Sequence, residues 1–322
     1  MGLPAARFTR ELFREAFAIS ARLFKIMVPL IVAVKVLQEV GGITYLGDLL
    51  SPVMRVVGLP GSMGLVWATA IAGNLYGGVI VFASLAPAEA ITIAQTTVLA
   101  VMMLVAHNLP IELRITQKAG VRLPFMAALR VGCAFLLGWI LFTTYAWGGW
   151  LQELNELRWA PPVKDPSLTA WMVGQVRELI FIFLVILVLL FVLKVLTRIG
   201  LTDIMVRVLN PVLRLLGIGP SATTITIVGM SLGIAYGGGL IIQEAVSGRA
   251  DRRDVLFSLS LMGLCHSIIE DTLLLAIFGA HSSGILWGRI VFSLLAVFLL
   301  VRLISGMSDR LVERYFVLPP SA

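Results

Sequence analysis

Ser51-Pro52-Val53-Met54-Arg55-Val56-Val57-Gly58 returns 159 residues later as Asn210-Pro211-Val212-Leu213-Arg214-Leu215-Leu216-Gly217. The same offset joins Lys35 to Lys194, His107 to His266 and Arg130 to Arg289. A one-residue slip pairs Gly73-Asn74-Leu75-Tyr76-Gly77-Gly78 with Gly233-Ile234-Ala235-Tyr236-Gly237-Gly238, and it is undone before the histidines. A fixed period over most of a chain marks one structural unit copied. Two like-sized halves follow, residues 19–148 and 171–305. Residues 1–18 precede them, a polar, proline-containing linker at 149–170 joins them, and a tail at 306–322 follows.

The medium is set by composition. Of 322 residues, 59% are hydrophobic and 13% charged, against roughly 45–50% and 25% in soluble domains. The fold class expected is therefore all-α and polytopic in a membrane. The net charge of +7 comes from short basic clusters between apolar runs, the pattern of cytoplasmic loops. No aromatic-interleaved basic face is present, so nucleic acid is not an expected partner. Two cysteines, Cys133 and Cys265, form no disulfide framework. Arg7, Arg10 and Arg14 alternate with Phe8, Leu12, Phe13 and Phe17, which reads as an amphipathic surface helix. It lacks a signal-peptide cleavage pattern and is expected to be retained.

Each half offers four apolar segments near the roughly 20 residues of a spanning helix: 19–40, 62–85, 94–119 and 123–147, then 177–196, 221–244, 255–278 and 284–303. A shorter amphipathic segment, 43–57 or 201–216, sits in each half. Loop charge orients them. Arg249, Arg252 and Arg253 crowd a loop whose counterpart has only Glu89, whereas Arg114, Lys118 and Arg122 correspond to Leu273, Ile277 and His281. These reversals point to inverted copies with five membrane elements each. Both termini then fall on the cytoplasmic side of the inner (plasma) membrane, and the linker with Glu153, Glu156 and Asp165 falls outside. Lys35 and Lys194 read as snorkelling end residues, and Trp147, Trp150, Trp159 and Trp287 as interface anchors.

Two features break membrane rules. The glycine runs at 73–78 and 233–239 lie midway along apolar segments and permit unwound backbone, which at that depth is tolerated beside protein or water. They read either as discontinuous helices lining a site or as close small-residue packing. The second feature is ionisable: Ala106-His107-Asn108-Leu109-Pro110-Ile111-Glu112 and Cys265-His266-Ser267-Ile268-Ile269-Glu270-Asp271 occupy equivalent segments. Intramembrane acids cost about 2.5–3.5 kcal/mol on insertion scales and usually face a cavity or partner. His266 and Glu270, four apart, are expected on one helical face, and Pro110 is expected to distort its helix and redirect Glu112. Three readings stand: a solute or ion site, a structural pair between the halves, or a metal site using Cys265, His266 and Glu270.

These motifs together resemble the nucleoside recognition, or Gate, domain family. That family includes the membrane part of ferrous-iron transporters, the spore maturation proteins and distant concentrative nucleoside transporter domains. The likeness covers most of the chain, one Gate unit per half, and implies a transport-like membrane fold with broken helices at the repeat interface. No G-x-x-x-x-G-K-[ST] loop is present, so the nucleotide-binding module of the iron transporters is absent from this chain.

The leading expectation is a secondary transporter or gated pore for a small polar solute, with a nucleoside-like molecule as one candidate. Its solute contacts would be Asn74, Tyr76, Gly77, Gly78, His107, Asn108, Glu112, Tyr236, Gly237, Gly238, Gln243, Glu244, His266, Ser267, Glu270 and Asp271. A proton or sodium ion is the expected coupling ion, with no resident cofactor. The alternatives are a divalent-metal permease and a non-transporting membrane assembly or signalling protein. No catalytic residue is expected, since H-E-x-x-H and G-x-S-x-G are absent. The expected partners are lipid and a small molecule or ion, with homo-oligomerisation left open.

Overall fold

The computed structural model describes residues 5–156, 168–198, 200–216, 218–219, 222, 226, 229–230, 241–245, 247 and 251–318. The described residues are almost wholly helical, with two isolated bridges, Thr92 with Leu154 and Val121 with Val317. Four helices are long and apolar enough to cross a membrane, at Ile93–Lys118, Leu123–Gly148, Leu168–Val192 and Ser283–Ser305. The protein is an all-α polytopic membrane protein.

In chain order the first half carries α1 (Ala5–Glu39), α2 (Gly42–Arg55), α3 (Met63–Ala72), α4 (Leu75–Glu89), α5 (Ile93–Val105), α6 (Leu109–Lys118) and α7 (Leu123–Gly148). The second carries α8 (Leu168–Arg198), α9 (Leu201–Leu215), α10 (Arg252–Leu264), α11 (Glu270–Ile277), a π-helical turn (Ser283–Gly288) and α12 (Arg289–Ser305). A short α13 (Asp309–Tyr315) ends the described chain. Both ends of α10 sit 159 residues after the ends of α5. Residues 231–240, and with them the second glycine break and Tyr236, lie outside the described residues.

Two differences from expectation stand out. The expected separate surface helix at residues 1–18 is not separate: from Ala5 onward that segment is continuous with the first long helix, Ala5–Glu39. Nothing in the sequence between Phe17 and Ile19 breaks a helix, so the amphipathic stretch simply extends it. Segment 62–85 is not one broken spanning helix. α3 and α4 fold back on each other, with Ser62 Oγ donating to Glu89 Oε1 at 2.6 Å at the open end and Gly73-Asn74 at the tip. Gly78 lies so close to Ala70 that an added Cβ would stand 2.8 Å from the alanine methyl. This hairpin enters and leaves on one side. Segments 94–119 and 255–278 do each interrupt midway, between α5 and α6 and between α10 and α11.

Contacts fix the relative directions of equivalent elements. Asn155, in the linker, takes Thr96 and Phe278 as acceptors at 2.9 and 3.0 Å, and Thr97 Oγ1 accepts from the His281 amide at 2.9 Å. The start of α5 therefore meets the end of α11. At the other end Arg122 donates to the Glu313 carbonyl at 2.9 Å. Arg253, at the start of α10, reaches the Ile304 and Met307 carbonyls and Asp309 at 2.6 Å. So α5–α6 and α10–α11 run antiparallel. The pair α1 and α8 does too: Glu15 meets Lys194 at 2.8 Å, while Lys35 lies over Trp171. α2, with 14 residues, reaches only about 21 Å, short of the roughly 30 Å hydrocarbon core of a bilayer.

The outer faces are apolar where they lack protein neighbours. Val291, Leu295, Leu299 and Leu303 are all exposed at spacings of four, which forms one stripe on α12. Exposed apolar stripes of this kind are stable against lipid tails rather than water. Helix association then depends on close packing and interhelical hydrogen bonds. The turn leading into α3 packs closely on α2: Gly61 sits against the Gly47 carbonyl with no room for a Cβ. Gly61→Ala is therefore expected to lower the thermal midpoint of the purified protein, whereas Gly132→Ala, whose Cβ meets nothing within 4 Å, leaves it unchanged or raises it. Equal effects of the two substitutions would show that this contact is not limiting.

Candidate functional site: a buried histidine and carboxylate cluster

The cluster is built by two helix breaks related by the repeat. α5 ends at Val105 and α10 at Leu264, and the chain then passes through Asn108 at φ 49° and Ser267 at φ 45° before helix resumes. These positions are equivalent, and both hold a non-glycine residue in the left-handed region, which costs energy unless the surroundings enforce it. Each break presents a histidine inward. His107 Nδ1 donates to the Met103 carbonyl and His266 Nδ1 to the Met262 carbonyl, both at 2.8 Å. The two rings face each other with centroids 5.0 Å apart.

Two acids approach these rings. Glu112 Oε1 lies 3.7 Å from His107 Nε2 and 3.5 Å from His266 Nε2. Asp271 Oδ2 lies 3.9 Å from His107 Nε2. Glu112 and Asp271 are themselves repeat equivalents, so the four groups form a two-fold related set from both halves. All are buried: His107 is 6% exposed, His266 3%, Glu112 2% and Asp271 9%.

A pair of buried arginines holds this arrangement. Arg130, on α7, donates to Glu112 Oε2 at 2.5 Å, to the Val105 carbonyl at 2.9 Å and to the His107 carbonyl at 3.1 Å. The last two are carbonyls freed where α5 stops. Arg289, its equivalent on α12, donates to the His266 carbonyl at 3.1 Å. Among the described residues its Nε and Nη1 have no hydrogen-bond partner, and neither do the buried hydroxyls of Thr272 and Ser293.

The remaining sequence candidates divide. Asn108 Nδ2 reaches Glu112 Oε1 at 3.4 Å, and the Asn108 amide donates to the Ala70 carbonyl at 2.8 Å, tying the hairpin to the break. Tyr76 donates to Glu270 Oε1 at 3.2 Å across the two halves. Asn74 caps α4 by accepting from the Gly77 amide at 2.8 Å. Gly77 and Gly78 are helical and buried, not unwound. Only Gly73 and Asn74 leave the helix there, because a glycine with no capping side chain followed by an asparagine cap ends one helix and starts the next. Ser267 supplies the left-handed link. Gln243 is exposed and Glu244 half-buried on a helical turn at residues 241–245. Tyr236, Gly237 and Gly238 lie outside the described residues.

Two expectations change. His266 and Glu270 do not share a helical face, because the chain is non-helical from Cys265 to Ile269. Glu270 turns to Tyr76 and Asp271 faces the histidines instead. Among the described residues the three groups close enough to share one metal ion are His107, His266 and Asp271, rather than His266 with Cys265 and Glu270. Sequence reasoning also passed over Arg130 and Arg289 as site residues. The signal was present: an arginine inside an apolar segment, 18 residues after an acid in both copies.

Removing the guanidinium leaves Glu112 buried without its counter-ion, a change that typically costs 3–5 kcal/mol. Arg130→Met is expected to lower unfolding stability in detergent by roughly that amount, and adding Glu112→Gln is expected to recover much of the loss. Strict additivity of the two changes in a denaturant titration would refute the pairing.

Among known proteins the chain is similar to the uncharacterized membrane protein YvoD of Bacillus subtilis (strain 168). The two are 24% identical over 257 residues, which cover 77% of this chain and 80% of that protein. No protein-family model matches the chain, and no solved structure does. The likeness to YvoD agrees with the apolar, lipid-facing helices: this is a membrane protein.

Proposed function

We propose that the chain is a transporter that moves a small polar solute or ion through the interface between its two halves, with the His107, Glu112, His266 and Asp271 cluster as the binding or coupling centre. The observation that carries this reading is the meeting of both histidines, each at a break in a helix, 5.0 Å apart in the buried middle of the bundle. Broken helices and ionisable groups at mid-depth are costly in a membrane and characterise transport pathways. The Gate-like motifs point the same way.

In this reading the α3–α4 hairpin tip and the two broken helices are the elements that rearrange. They meet through the Tyr76–Glu270 and Asn108–Ala70 hydrogen bonds. Breaking and remaking two such bonds is compatible with alternating access, whereas unwinding a continuous helix is not. The end bearing Arg122, Arg252 and Arg253 faces the cytoplasm, as the positive-inside rule requires. A histidine and a carboxylate side by side suit coupling to protons, because a proton can pass between a ring nitrogen and a carboxylate oxygen.

Uptake into proteoliposomes, screened over nucleosides, amino acids and inorganic cations, tests the proposal. Glu112→Gln and His266→Gln are each expected to slow uptake of the transported species about tenfold or more, equivalent to about 1.4 kcal/mol of lost interaction. Trp147→Phe, on the exposed surface, is expected to transport normally. Unchanged flux in both cluster variants would remove the centre from the pathway. Absence of any flux, with a stable protein partner recovered on pull-down, would favour an assembly role.

A further inference from the structure

We infer that the cluster is a binding site for one divalent transition-metal ion, with His107 Nε2, His266 Nε2, Glu112 Oε1 and Asp271 Oδ2 as ligands. The inference rests on reading this cluster as a ligand centre and names the class of ligand. It does not depend on whether that ligand is carried across the membrane.

The tautomers supply the first argument. A backbone carbonyl only accepts hydrogen bonds, so the Nδ1 atoms facing the Met103 and Met262 carbonyls both carry hydrogen. In the neutral rings each Nε2 is then a bare lone pair. Those lone pairs face carboxylate oxygens, which are acceptors too. Acceptors converging in a buried space need a hydrogen or a cation between them, and one shared proton covers only one of these three histidine–carboxylate contacts. Protonating both rings would place two imidazolium ions with centroids 5.0 Å apart. A single cation satisfies all the lone pairs at once.

Distance supplies the second. Bonds of 2.0–2.1 Å in a tetrahedral site put neighbouring ligand atoms roughly 3.4 Å apart. The three histidine–carboxylate separations are 3.5, 3.7 and 3.9 Å. The ligand atoms of His107, His266 and Asp271 all lie within 4.8 Å of one another. To seat an ion the three histidine–carboxylate pairs contract by a few tenths of an ångström, and the other pairs among His107, His266 and Asp271 by up to about 1.4 Å.

The surrounding groups are those that orient metal ligands. Ligating histidines commonly donate their other ring N–H to a backbone carbonyl, and ligating carboxylates are held by hydrogen bonds. Both histidines do the first, and Arg130 does the second by gripping Glu112 Oε2 while Oε1 faces the rings. Two imidazoles with two carboxylates favour ions such as Zn²⁺, Fe²⁺ or Mn²⁺ over the all-oxygen sites chosen by Ca²⁺ and Mg²⁺.

The test uses full-length protein in detergent, stripped with chelator and titrated with ZnCl₂, MnCl₂ or MgCl₂. The expected result is close to one Zn²⁺ per chain after gel filtration, a raised thermal midpoint, and no response to MgCl₂. X-ray absorption at the zinc edge on the unaltered protein should report a nitrogen and oxygen shell without sulfur. His266→Gln and Asp271→Asn should each weaken binding by at least ~10-fold, while His281→Gln, remote from the cluster, should not. No stoichiometric zinc on helical, monodisperse wild-type protein would overturn the site, as would a sulfur ligand from Cys265 or undiminished binding in both variants. Stoichiometric zinc without flux leaves this site standing and defeats only the transport reading. Flux of another solute without metal binding does the reverse.

Discussion

Backbone groups released inside an apolar bundle must find partners, and in this protein two buried arginines meet that demand. Arg130 takes the carbonyls of Val105 and His107, and Arg289 takes that of His266. Without such donors a helix interrupted at mid-depth would leave unsatisfied carbonyls where no water replaces them. The arginines bring their own cost, a charge in a region of low polarity, and Glu112 offsets it for Arg130. The break, the arginine and the acid therefore form one unit, and each member stabilises the others.

That unit also sets what the site can do. By occupying Glu112 Oε2, Arg130 fixes which oxygen faces the histidines. The break rotates His107 off the helix and lets its Nδ1 bond back to Met103. The same geometry recurs at His266, so antiparallel packing of the two copies brings both Nε2 atoms to one place. The symmetry is incomplete. Among the described residues Arg289 makes no carboxylate contact to match that of Arg130 with Glu112, and Asp271 faces His107 across the interface.

The α3–α4 hairpin adds the third component. Its tip touches the first break through Asn108 and the second half through Tyr76 and Glu270. The hairpin turns back midway along its apolar stretch, because Gly73 and Asn74 allow a reversal and its exposed peptide groups meet protein. Small residues such as Gly78 and Ala70 let its two helices lie close enough to share one slot.

Much was legible in the sequence. Composition and apolar run length determined the medium and the helical class, because a bilayer admits few alternatives. The 159-residue offset determined the duplication and singled out His107 with His266, since titratable groups repeated at membrane depth persist only for a reason. What tertiary structure decided was direction and partnership. Apolar pattern alone does not tell a re-entrant hairpin from a broken spanning helix, because both read as one hydrophobic run with glycines in its middle. Nor does helical spacing tell which acid meets a histidine once the helix stops: the four-residue rule pairs His266 with Glu270, but a left-handed Ser267 turns Glu270 toward Tyr76 and leaves Asp271 facing His107. Local sequence specifies where the chain bends. Only the antiparallel packing of two bent copies specifies what each bend encounters.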